Sequence, residues 1–175
     1  MREENVGMNC IHQIVLDRLI EMNIPYEYIE HPPVYTIEEM DKLNIHSKNE
    51  IVKNLFVLDD KKKRYFLIVL HKDKKVNLKE IRRQLECRPL SFASEESLHS
   101  ILDLNKGSVT PFGVLNDTNY TVEVVLDKDI MKFERVGVHP NDNTATVWIH
   151  PKDLESVIRK HGNLITYIEI EALGL

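Results

Sequence analysis

The chain has 175 residues, 42% of them hydrophobic and 29% charged, with a formal net charge of −5. That length favours one domain, and the apolar fraction suffices for a single packed core. No run of about 18 apolar residues occurs, which excludes a membrane-spanning helix, and two cysteines (Cys10, Cys87) make no disulfide framework and suit a reducing cytosol.

Residues 1–9 begin Met1-Arg2-Glu3-Glu4-Asn5, polar and mixed in charge, without the apolar core of a signal peptide. They read as an extension of a cytoplasmic domain expected over 10–175. Ile11, Ile14, Val15, Leu19 and Met22 recur at helical spacing and predict an amphipathic helix over 10–22. Tyr26 to Glu30 alternates as a short strand, which His31-Pro32-Pro33 breaks, since neither proline donates a backbone hydrogen bond. Thr36 followed by Glu39 fits a capping box and starts a second helix near Ile37. Ile51 to Leu58 and Arg64 to Leu70 are apolar strands, and Asp59 to Lys63 joins them as a β-hairpin. Residues 77–86 read as a basic helix and 94–102 as another. Gly107 to Pro111 is a loop, and Val122–Leu126 and Thr144–Ile149 are strands. Pro151 suits the first turn of a helix that runs to His161 and stops at Gly162, before a last strand over 164–170. Helices mixed with hairpins predict an α/β (α+β) domain: one compact unit with a curved mixed sheet surrounded by helices.

Charge is unevenly distributed. Residues 61–88 hold eleven Lys/Arg and three acids, a local charge of +8, while the remainder carries −13. Such a block can attract phosphates on an otherwise acidic surface, or it can be a solvated helix and hairpin tip. Lys61, Lys62, Lys63, Arg64, Arg82, Arg83 and Arg88 are its candidate phosphate contacts.

Three places could carry chemistry. The strand over 51–58 is apolar on both faces except at Lys53 and Asn54, and a strand of that kind is usually covered on both faces. Lys53 either sits at a frayed strand end and snorkels to water, or its ammonium meets an anion in a cavity. Gly107-Ser108-Val109-Thr110-Pro111 can aim backbone N–H groups at an oxyanion or phosphate, or be a plain turn. It lacks the full phosphate-loop pattern, so nucleotide hydrolysis is not supported. His139, in the polar turn His139 to Thr144, is the third, either as a ligand contact or as a structural histidine. No His-Glu-x-x-His or Cys-x-x-Cys occurs, so neither a zinc site nor a cofactor is expected. Arg88 could lower the thiol pKa of Cys87, but no Cys-His motif accompanies it, and Ser91 and Ser108 lack a nucleophile elbow.

Six stretches then stand in one order: His31-Pro32-Pro33-Val34-Tyr35-Thr36, Val52-Lys53-Asn54-Leu55-Phe56, Leu90-Ser91-Phe92-Ala93-Ser94-Glu95-Glu96, Gly107 to Pro111, Leu115-Asn116-Asp117 and His139-Pro140. In that order the chain, over 10–170, resembles the YbaK and prolyl-tRNA-synthetase-associated editing domain superfamily. Within it the chain is most similar to the free-standing Ala-tRNA(Pro) deacylases of the ProXp-ala and PrdX branch. The resemblance implies an α/β domain around a curved mixed sheet, and hydrolysis of the ester joining alanine to tRNA(Pro). It implies that Lys53 holds the 3′-terminal nucleotide and orients the ester, and that Asn54 helps place the substrate. The 107–111 loop, with Gly107, Ser108, Val109, Thr110 and Pro111, then binds the aminoacyl group and the attacking water, with His139 nearby. Val34 and Thr36 line the amino-acid pocket and gauge side-chain size, and Asn116 is counted with the substrate contacts. The partners implied are mischarged tRNA(Pro) and prolyl-tRNA synthetase, with no membrane and no DNA. One departure stands out: that branch often has an arginine directly before Leu-Ser-Phe, where this chain has Pro89, with Arg88 one position earlier. Rival readings are a deacylase for Cys-tRNA(Pro) or another misacylated tRNA, and a non-catalytic binder that senses aminoacyl-tRNA or proline.

Overall fold

The computed structural model describes residues 10–42 and 51–171; the extension over 1–9 lies outside the described residues. Helix α1 (Cys10–Glu21) buries Val15, Leu16 and Leu19. Ile11 and Ile14, which periodicity assigned to the buried face, are 39% and 50% exposed. The stripe is rotated toward His12, which is 3% exposed, hydrogen-bonds the Tyr28 hydroxyl at 2.9 Å and pairs with Asp142 at 3.2 Å. A polar partner thus decides the face, which apolar periodicity alone does not report.

Strand β1 (Glu27–Glu30) is followed by α2 (Ile37–Lys42), where the Glu39 N–H donates to the Thr36 hydroxyl at 3.1 Å. The Glu39 carboxylate reaches back to the Tyr35 N–H at 2.5 Å, one residue before the box position. β2 (Val52–Asp59) and β3 (Tyr65–His71) form the expected hairpin, with Lys53 opposite Leu70. α3 (Leu78–Leu85) is capped by Asn77, and α4 (Glu95–Leu102) by Ser94. Between them lies β4 (Leu90–Phe92), three residues that pair with β2. β5 (Val122–Asp127), β6 (Val136–Val138), β7 (Ala145–Ile149), α5 (Pro151–His161) and β8 (Ile165–Ile168) complete the chain. Pro151 and Gly162 delimit α5 as predicted, with Gly162 at φ 117°. Two 3₁₀ turns, Pro111–Asn116 and Lys128–Lys132, were not legible as regular structure.

The domain is mixed α/β, and its strands form two sheets. One has the order β4-β2-β3-β5-β8, antiparallel through β3 and parallel beyond it; the other is antiparallel, β1-β7-β6. Among the described residues a single parallel bridge, Ile51 to Gly137, joins them. Both faces of the larger sheet are covered, as its near-continuous apolar strands require. Val57, Phe66, Ile68 and Leu70 pack with Ile81 of α3 on one face. Phe56, Leu67, Val69 and Val124 pack on the other with residues of α1, α4 and α5. Among the described residues no helix is long and apolar enough to cross a membrane.

Candidate active site

A cleft of about 270 Å³ opens where the bridge joins the sheets. Four consecutive residues, Ile51 just before β2 and Val52 to Asn54 at its start, line it. Alternation turns Lys53 and Asn54 to opposite faces, so the cleft wraps around the strand end. Val34, Tyr35, Thr36, Gly107, Val109 and the run Gly137-Val138-His139 complete the wall with Thr146.

Lys53 is half-buried, and its ammonium donates to the Lys74 carbonyl. Burial lowers its pKa, with the nearby Asp73 carboxylate opposing. The side chain is thus folded back onto the 71–74 turn and does not extend into water. Asn54 presents a buried Oδ1 with no hydrogen-bond partner among the described residues, an acceptor on the cleft wall. An unmatched buried acceptor costs free energy unless a bound group donates to it.

The Nδ1 of His139 lies 3.0 Å from the Ala145 carbonyl, which can only accept, so Nδ1 carries the hydrogen and Nε2 is the acceptor of the neutral ring. Burial lowers the His139 pKa, with its bond to Ala145 and the Asp142 charge opposing and His31 and His12 adding to the fall. The rings of His31 and His139 lie 6.2 Å apart. His31 Nδ1 contacts the Pro32 carbonyl at 2.9 Å, so its Nε2 accepts the Thr146 hydroxyl hydrogen at 2.8 Å in the neutral ring.

Val34 is held from both sides by Asn143: its N–H donates to the Asn143 carbonyl at 3.2 Å, and its carbonyl accepts from Asn143 Nδ2 at 2.9 Å. The apolar wall is therefore fixed by a second segment. Gly107 has φ 86°, and a Cβ there would lie 2.8 Å from the Tyr35 ring. A Cβ on Gly137 would lie 2.8 Å from the Trp148 indole.

Of the predicted residues, Val34, Thr36, Lys53, Asn54, Gly107, Val109 and His139 share this cleft. Ser108, Thr110, Pro111 and Asn116 are placed behind it. The Thr110 hydroxyl donates to the His139 carbonyl at 2.6 Å, which ties the loop to the His139 turn. Pro111 opens a 3₁₀ turn, and Asn116 Nδ2 donates to the Leu102 carbonyl at 2.9 Å. Burial pushes the Cys87 thiol up despite nearby Arg64 and Arg82, so it is not an activated nucleophile. Much of the basic block is internally paired: Arg64 with Glu123, Arg83 with Glu80, and Arg88 with Asp60. Arg82 donates to the Cys87 carbonyl, and Lys61, Lys62 and Lys63 are exposed at the hairpin tip.

Tyr35, Ile51, Val52, Gly137, Val138 and Thr146 were missed as site residues. Thr146 carried the same signal as Lys53, a polar residue in an apolar strand, here between Ala145 and Val147. Gly137 carried none, because its need arises from Trp148 across the strand pair.

Comparisons with known proteins agree with one another. A family model described as an aminoacyl-tRNA editing domain matches residues 31–157. Prolyl-tRNA editing protein ProX of Acetoanaerobium sticklandii is 48% identical over 158 residues, spanning 90% of this chain and 96% of its own. Prolyl-tRNA synthetase associated domain-containing protein 1 of Danio rerio is 38% identical over 138 residues, 78% of this chain and 74% of its own. A crystal structure described as a candidate trans-editing enzyme for prolyl tRNA synthetase shares the fold, with a TM-score of 0.73 at 19% identity, over 94% of this chain and 100% of that one.

Proposed function

The chain belongs to the aminoacyl-tRNA editing domain family, and from that membership we propose that it is a trans-acting hydrolase that deacylates mischarged tRNA(Pro), with alanine as the group removed. The observation that carries this reading is the convergence of Lys53, Asn54, Gly107 and His139 on one cleft. Alanine is smaller than proline, so a synthetase pocket cannot strongly exclude it, and a second site must remove the error.

The cleft suits the task in size and chemistry. At about 270 Å³ it fits an aminoacyl group and part of a ribose better than a whole nucleotide, since sites for drug-sized ligands run to roughly 300–1,000 Å³. Val34, Ile51, Val52, Val109 and Val138 give it apolar walls. Lys53 holds the phosphate of the terminal nucleotide and orients the ester. Asn54 Oδ1 accepts a hydrogen from the substrate's ammonium, and the 107–111 backbone supports the ester oxygen. An aminoacyl ester needs little more than placement of water and stabilisation of the oxyanion. The terminal ribose hydroxyl helps activate the water, which adds to the carbonyl carbon. The carbon–oxygen bond to the ribose then breaks, the ribose oxygen regains a proton, and alanine leaves. Mischarged tRNA(Pro) released from prolyl-tRNA synthetase is the substrate of this reading, and the cytoplasm its place.

Parallel assays with Ala-tRNA(Pro) and Cys-tRNA(Pro) test it. Faster release of alanine supports the reading, and faster release of cysteine replaces the alanine assignment.

A further inference from the structure

Lys74 lies outside the cleft and is only 5% exposed. Its ammonium sits 2.6 Å from Asp127 Oδ2 and 2.6 Å from Asp129 Oδ2, and donates to the Ile170 carbonyl at 2.5 Å. Asp127 is itself 1% exposed. Lys132 and Lys74 hold the Asp129 carboxyl down at about 2. Lys74, whose pKa its two carboxylate partners raise, and Asp129 therefore stay ionised at neutral pH.

Buried ion clusters of this kind are weak evidence for stability, because desolvation offsets much of their Coulomb attraction, and their best-attested use is to select one arrangement. What this cluster fixes is a turn. The Lys72 N–H donates to the Ile51 carbonyl at 3.2 Å, and the Lys74 N–H to the His71 carbonyl at 3.1 Å. The Lys74 carbonyl, on that same turn, accepts the Lys53 ammonium. The clamp on the Lys74 side chain comes from the end of β5, the 3₁₀ turn after it and the segment after β8. None of its members lines the cleft.

We propose that Lys74 is a positioning residue for Lys53: its clamped ammonium sets the 71–74 turn, whose carbonyl aims the Lys53 ammonium into the cleft. One of the three N–H donors of Lys53 is thereby committed, and two are left for the substrate's anion. The inference rests on the deacylase reading, in which Lys53 holds the tRNA terminus.

Lys74→Met alone leaves the buried Asp127 carboxyl without its ammonium partner, so the informative variant combines it with Asp127→Asn. The pair removes both ionisable groups of the buried contact and keeps a side-chain oxygen where Asp127 caps the following turn. Deacylation of Ala-tRNA(Pro) is measured as kcat and KM, and the titration of Lys53 is followed by NMR at its ¹³Cε. The expected result is cooperative thermal unfolding near that of the wild type, and a fall in kcat on the order of 10²-fold from misplacement. Lys53 also titrates at higher pH, because a side chain released toward water keeps its proton longer. Asp129→Asn, at a site already 45% exposed, gives a smaller change in the same direction and decides the matter if the double variant does not fold. A folded variant that keeps wild-type kcat overturns the proposal. So does one that loses kcat while Lys53 titrates unchanged, because the loss then bypasses Lys53. Absence of deacylation by the wild type contradicts the functional reading instead, and the Lys53 titration still reports the coupling.

Discussion

The Nδ1 hydrogen of His139 is committed to the Ala145 carbonyl, and burial lowers the ring's pKa below its ordinary 6.5. The unfolded chain therefore takes up that proton first as pH falls. The stability this confers is present above 6.5 and is lost as pH falls below it and through the lower folded-state pKa. His139→Gln is predicted to flatten the acid side of the stability profile, read from urea midpoints across that range. Gly107 makes a second prediction at this scale. Alanine there must adopt φ 86° and meet the Tyr35 ring at 2.8 Å. We expect Gly107→Ala to lower stability by roughly 1–2 kcal/mol, and to lower kcat through displacement of Tyr35 and the loop; the denaturant midpoint and a deacylation assay check the two effects. Lys53 was legible because a cation interrupts an otherwise apolar strand. Its partner, the Lys74 carbonyl, was not, since a backbone acceptor 21 residues away leaves no mark on composition.

Elements several residues long were read correctly where their period was strong, as in β2, β3, β5 and α5. β4 and β6 were missed because three residues are too few to show a period. Yet β6 brings Gly137 and Val138 to the cleft. The wall is thus assembled by pairing between distant segments, and Asn143 is the clearest case. Asn143→Ala leaves the buried Val34 carbonyl without its Nδ2 donor. This is expected to cost about 1–3 kcal/mol and to loosen the gauge of side-chain size. Hydrolysis of correctly charged Pro-tRNA(Pro) should rise relative to Ala-tRNA(Pro), which parallel assays measure. The β2–β3 hairpin carries a different expectation. Its tip lies beyond Asp59, and Lys53 to Asp59 spans roughly 20 Å of strand. In the proposed reading the exposed Lys61, Lys62 and Lys63 meet tRNA phosphates away from the ester. Charge reversal at all three should weaken tRNA binding and flatten its salt dependence, with kcat at saturation little changed. An unaltered salt slope would remove these lysines from the interface.

For the molecule as a whole, the mixed α/β class followed from helices interleaved with hairpins, but the division into two sheets did not. It depends on where strands end: β2 begins beside β6, and among the described residues only Ile51 to Gly137 bridges the sheets. The cleft occupies that junction, so its residues come from segments near 34, 53, 107, 137 and 146. No local pattern shows such a meeting; ordered motifs did, because they carried the outcome of a fold already built. The central claim is that this junction is a deacylation site organised by Lys53. It is tested most directly by measuring release of alanine from Ala-tRNA(Pro) and of cysteine from Cys-tRNA(Pro), with the wild type and with Lys53→Ala shown to be folded by circular dichroism. The account predicts preferential loss of alanine with the wild type and near-complete loss of that activity in the variant. Wild-type rates in folded Lys53→Ala would contradict it.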